Sequence, residues 1–201
     1  MTRLFVLALT ACLFILTTPA SAHAPIMGIG GVLGGFLHAL LIPEHGMSLV
    51  ALGLALGRQE TLARRYGLLI FTAAVTIGLL VVGLGVDAPF SGDVLLAATG
   101  LLGLSVAFAW MPRFLSWGLA VVAGIAFALD SKPDVTTTDE LIRMLIGSWL
   151  GGAIALSILA EILFLLRGGA QRIAARVLGS WIAAIAMLDL SLRIATRLAI
   201  A

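Results

Sequence analysis

Apolar and polar positions fall along this chain in long blocks rather than in residue-by-residue alternation. Apolar stretches run about 27–56, 67–86, 94–110, 114–129, 141–166 and 177–192, and the short segments between them hold most of the charge. A helix needs roughly 20 apolar residues to cross a bilayer, while a membrane strand would show strict period-two alternation in short segments. The pattern therefore predicts an all-α fold, a polytopic membrane helical bundle of about six transmembrane helices. The first stretch is too long for one straight crossing, even with tilt, and Pro43 lies inside it. Proline removes a backbone donor and clashes with the preceding turn. The first helix is expected to be broken near Pro43: a helix to about Ile42, a turn over Pro43–Gly46, and a second helix beyond.

The stretch ahead of these blocks reads differently. "MTRLFVLALTACLFILTTPASA" carries one Arg, an apolar run and then Ala20-Ser21-Ala22. That is the n-region, h-region and small-residue cleavage site of a secretory signal. The expected organisation is a signal peptide over 1–22 and a single transmembrane domain over 23–201, with His23 at the mature N-terminus.

Loop charge gives an orientation. Arg58, Arg64 and Arg65, then Arg113, then Arg167, Arg172 and Arg176 mark three basic loops. They alternate with acidic loops holding Asp87 and Asp93, and Asp130, Asp134, Asp139 and Glu140. Basic loops inside and acidic loops outside put the chain in a bacterial-type inner membrane with the mature N-terminus periplasmic. Arg193 and Arg197 fall on the wrong side for this rule and read as an interfacial tail.

Composition agrees and excludes several classes. Mean hydropathy is +1.17 and only 11% of residues are charged, against about 25% in soluble domains. A single cysteine, Cys12, rules out an intrachain disulfide or thiolate cluster, and the single lysine, Lys132, lies in a polar stretch, unsuited to a retinal Schiff base. No basic patch for nucleic acid stands out at a net charge of +2. No nucleophile–base pair and no nucleotide-binding motif emerge, so the reading is not an enzyme.

Ionisable residues inside apolar blocks are expensive and usually functional. Here they are His38, Glu44, His45, Glu161 and Asp189, and all three histidines, His23, His38 and His45, crowd the start of the mature chain. On one straight helix His38 and His45 would lie about 10.5 Å apart along the axis, too far for one ion. A break at Pro43 lets His38, Glu44 and His45 converge, as broken helices do at transporter ion sites. Imidazole and carboxylate suit nickel, cobalt, zinc or ferrous iron. A free α-amine beside the His23 imidazole would add a chelating pair at the outer mouth. Asp130, Glu161 and Asp189 are candidates to relay ion or proton, although Asp189 also lies four residues before Arg193, the spacing of a helix ion pair.

The segment "GGFLHALLIPEHGMSLVALGLALG" resembles the first motif of the HupE/UreJ family, small membrane proteins regarded as nickel or cobalt permeases. Gly35, Phe36, His38 and His45 match; Glu44 stands for the family's Asp, Ala39 for the Pro after the first His, and Pro43 is shifted towards the acid. The family's second motif, H-G-x-A-H-G-x-E, has "AGIAFALD" as its counterpart, where Asp130 keeps the acid and both histidines are gone. A family Leu-His corresponds to Ala160-Glu161. The resemblance implies secondary transport of a divalent transition-metal ion through the bundle, with His23 capturing and His38, Glu44 and His45 coordinating it.

The departures leave open a more oxygen-rich site, a different metal, or a non-transporting subunit of a membrane complex that packs through its small-residue faces. No cofactor beyond the bound or transported ion is expected. A b-type haem carrier fits poorly, because every histidine lies in one segment. Expected partners are the bilayer, the ion, and a second copy or a membrane complex.

Overall fold

The computed structural model describes residues 29–110, 112–165 and 168–200. Those residues form seven helices and no strand: α1 (Gly31–Leu41), α2 (Pro43–Gly57), α3 (Thr61–Gly83), α4 (Ser91–Ala107), α5 (Arg113–Asp130), α6 (Thr138–Leu165) and α7 (Gly169–Ile200). The signal peptide over 1–22, Cys12 and His23 lie outside the described residues.

Four helices, α3, α5, α6 and α7, are each long and apolar enough to cross a membrane. The pair α1–α2 passes the same test as one span bent by 69°, and α4 is a shorter apolar helix. The chain is thus a multi-pass helical membrane protein, and its six apolar blocks map one to one onto these units.

The break in the first span is tighter than a turn. Only Ile42 leaves the helical region (φ −69°, ψ 121°), and Pro43 is already helical at the start of α2. This follows from proline itself. Its ring pushes the preceding residue into the extended region, while its missing N–H costs nothing at the first helical position, where donors have no intrahelical partner anyway. Glu44 and His45 therefore sit in the first turn of α2, not in a loop. A carboxylate there faces the positive end of the helix dipole.

The half-helix α2 is the axis of the bundle and touches every other described helix. Leu49, Ala51, Leu52, Leu54, Ala55 and Leu56 are all buried. A helix apolar on every side and enclosed on every side needs no amphipathic face. α1 continues that contact along α6, backbone to backbone: a Cβ on Gly35 would collide with the Met144 carbonyl, and one on Gly147 with the Val32 carbonyl. Small residues permit such approach where lipid offers no hydrophobic drive for association. α7, by contrast, turns Trp181, Leu188, Leu192 and Leu198 outwards, as a lipid-facing helix does.

This packing gives the bundle an acidic end, where α4 starts, α5 ends and α7 ends, and a basic end around Arg58, Arg64 and the start of α7. The apolar block at 177–192 is only the middle of α7, which runs on through Arg193 and Arg197.

Candidate functional site at the broken span

The break brings the two described histidines together. His38 lies in the last turn of α1 and His45 in the first of α2, and their rings stand nearly perpendicular with centroids 5.9 Å apart. Both are buried, His45 completely. Phe127 of α5 tilts against the His45 ring at 4.5 Å and backs it from the core side.

Asp130, the last residue of α5, completes this pair: its Oδ2 is 3.0 Å from Nε2 of His45. Ser91 at the start of α4 donates its hydroxyl to the other oxygen of Asp130 at 3.3 Å. Nδ1 of His45 has no hydrogen-bond partner among the described residues. A carboxylate on one ring nitrogen orients the imidazole and fixes which nitrogen carries the proton.

Glu44 points the other way. It ion-pairs with Arg193, which arrives from the far end of α7. Arg193 also reaches Asp189 at 3.4 Å and Asp93 at 3.9 Å, and Arg197 pairs with Asp93. The two halves of the cluster meet over Gly92. A Cβ there would lie 2.9 Å from Nη1 of Arg193, 3.0 Å from Oδ1 of Asp130 and 3.3 Å from Oε2 of Glu44. A side chain at this position would have to displace the tips of three charged side chains.

Glu44, Asp93, Asp130 and Asp189 face Arg193 and Arg197. With all four carboxylates ionised and the imidazoles neutral, the cluster carries two excess negative charges, so it attracts cations. As arranged, these side chains hold one another: among the described residues no group of three His, Cys, Asp or Glu is placed to hold a metal ion.

The remaining candidates are distributed as follows. Asp189 makes the helix ion pair its spacing suggests and lies beside Glu44's partner. Glu161 lies at the opposite, basic end, half-exposed, 3.0 Å from Arg64. Arg64 is itself buried and stacks on Phe164 at 3.6 Å.

Sequence reasoning missed Arg193, Asp93, Ser91 and Gly92 as parts of the cluster. Arg193 and Arg197 lie inside α7 rather than in a tail beyond it; they are tied to acids, and the Arg197 guanidinium also lies 5.1 Å from the Phe90 ring centroid. Their violation of the loop-charge rule was the available signal, since a misplaced cation at an acidic end calls for a counter-ion.

The HupE / UreJ protein family model matches residues 10–188. The chain belongs to that family. The match takes in the broken span and the α5 end, and stops just short of Asp189 and Arg193. No curated protein and no solved structure gave a significant match. Membership in this family, which is associated with nickel and cobalt transport, places the chain among transporter-type membrane proteins.

Proposed function

We propose that this HupE / UreJ protein is a secondary permease for a divalent transition-metal ion, nickel or cobalt, in a bacterial-type inner membrane, with its basic end cytoplasmic. One observation carries the reading. The bent first span sets the His38 and His45 imidazoles beside each other, with the Asp130 carboxylate on His45, inside an anionic cluster within a membrane bundle. Nitrogen and carboxylate donors together suit these ions.

The ion is the cargo, and the residues act in sequence upon it. His23 meets it at the outer face. Asp93, Asp189 and Glu44 draw it inwards. Entry requires Arg193 to leave Glu44, so that this protein–protein contact is exchanged for a contact with the ion, while Asp130 keeps the His45 ring oriented. Glu161, paired with Arg64 at the basic end, lies on the exit side.

The test is accumulation of Ni²⁺ and Co²⁺ by elemental analysis in cells expressing wild type, His45→Ala or nothing. Uptake above the empty control that disappears in His45→Ala supports the permease. Equal content in all three, with both proteins in the membrane, rejects transport of these two ions. A second reading, a non-transporting membrane subunit, is favoured by the Arg193–Glu44 pair, in which the protein's own cation engages a candidate ligand. A second membrane protein co-purifying in fixed stoichiometry would support it.

A further inference from the structure

At the basic end, a cavity of about 350 Å³ opens between the end of α2, the end of α6 and the start of α7. Leu54 and Leu163 form its apolar wall; Arg58, Gln171 and Arg172 form its polar one. Arg58 follows the last residue of α2 and is anchored there, its Nη1 donating to the Val106 carbonyl at 2.8 Å. Arg176, one turn beyond Arg172, is anchored in the same manner on the Ala107 carbonyl at 2.8 Å. Three guanidinium groups are therefore collected around the first two turns of α7.

What they lack is an acid. Arg64, Arg143, Arg193 and Arg197 each pair with a carboxylate, whereas among the described residues Arg58, Arg172 and Arg176 form no salt bridge. Burial, and then repulsion from Arg176 and Arg172, pushes the Arg58 guanidinium below its ordinary pKa. Like charges held together in a half-buried place are unfavourable unless an anion joins them. Guanidinium forks match phosphate oxygens in geometry and charge.

The surroundings of the cavity bear on the source of that anion. It lies at the end of the bundle that loop charge assigns to the cytoplasm, beside the exposed apolar side chains of Leu165 and Ile173. A second groove, lined by Ile173, Arg176 and Val177, follows the other side of the same helix. Cationic heads beside apolar grooves are suited to an amphiphile. Basic pockets between membrane helices on the cytoplasmic side commonly hold acidic lipid headgroups.

We propose that this cavity is a phosphate site for an anionic phospholipid, whose headgroup sits on Arg58 and Arg172 while its chains lie along the exposed Leu165 and Ile173. Such a lipid would bridge α2, the central helix, to α7, which packs mainly on α4.

The test uses the purified full chain in detergent with phosphatidylglycerol, phosphatidylcholine or inorganic phosphate. Lipid retention is read by native mass spectrometry and thermal unfolding is followed in parallel. Wild type should retain phosphatidylglycerol, unfold at higher temperature with it, and ignore phosphatidylcholine. The pair Arg58→Gln and Arg172→Gln should weaken retention about thirtyfold. Arg58→Lys with Arg172→Lys should keep most of it, which separates loss of charge from loss of fold. Arg113→Gln, which removes an exposed basic-end charge outside the cavity, should change nothing. Equal retention by wild type and the double Gln variant overturns the site. Stabilisation by inorganic phosphate without phosphatidylglycerol overturns the lipid source. No readout depends on metal uptake, so this inference and the permease reading succeed or fail separately.

Discussion

Arg193, near the end of the last helix, ion-pairs with Glu44, in the first turn after the break in the first span, joining residues 149 positions apart. The contact fixes the end of α7 to the axis of the bundle. Because Glu44 is buried, removing its partner strands a carboxylate rather than merely cancelling an attraction. Arg193→Ala is expected to lower stability by about 1–3 kcal/mol, the range for an unsatisfied buried polar group. Adding Glu44→Gln to Arg193→Ala should recover part of that loss. Thermal unfolding of the purified variants checks both; an unchanged unfolding temperature in Arg193→Ala would mean the pair contributes no stability.

The fold was legible because its signal is one-dimensional. Apolar length marks each crossing, and Pro43 marks the break. The cluster was legible only in part. His38, Glu44 and His45 are close in sequence, and Asp130 could be reached through a degraded motif. Arg193, Asp93 and Gly92 belong to the cluster through helix packing, which no local pattern encodes. The mutual orientation of α4, α5 and α7 decides that Gly92 lies under three charged groups. The sequence also suggested a turn over Pro43–Gly46. Proline's fitness for the first helical position instead lets α2 start at once, and this aims Glu44 at Arg193 and His45 at Asp130.

The contact between α1 and α6 has no room for a side chain. A Cβ at position 35 would meet the Met144 backbone, which cannot swing aside as a side-chain tip can. Gly35→Val should force the two helices apart and carry the His38 end of α1 with it. The expected cost exceeds about 3 kcal/mol, a loss reserved for severe overpacking. Yield of monodisperse protein and its unfolding temperature are the measurements. A Gly83→Ala control, at an end of α3 with open space around it, should be nearly neutral by comparison.

Between α4 and α5, Ala109 adopts φ 58°, the only left-handed non-glycine residue among those described. An alanine pays roughly 1–2 kcal/mol to stay there, because its Cβ crowds the following carbonyl oxygen. Ala109→Gly removes that cost and adds unfolded-chain entropy, two effects of opposite sign. The net expectation is a gain of up to about 1 kcal/mol. A rise in unfolding temperature with unchanged helical circular dichroism would bear this out; a fall would show that the turn is not strained.

Asp130 discriminates between a structural and a transport role for the histidine pair. Its carboxylate touches His45 but is not on the same span, so Asp130→Asn keeps both imidazoles and changes the group that orients one of them, together with one negative charge of the cluster. Substituting such a partner typically weakens metal affinity 10–100-fold. In the permease reading, half-maximal Ni²⁺ or Co²⁺ uptake should shift to about tenfold higher concentration or more in Asp130→Asn. Uptake in His45→Ala should vanish at every concentration. If the cluster only ties α2 to α5, Asp130→Asn should instead lower the unfolding temperature and leave the concentration dependence of uptake where it was. Measuring both quantities on the same preparations of wild type, Asp130→Asn and His45→Ala separates the two roles, because an ion ligand's orienting partner shifts the uptake curve and a packing contact shifts the melting curve.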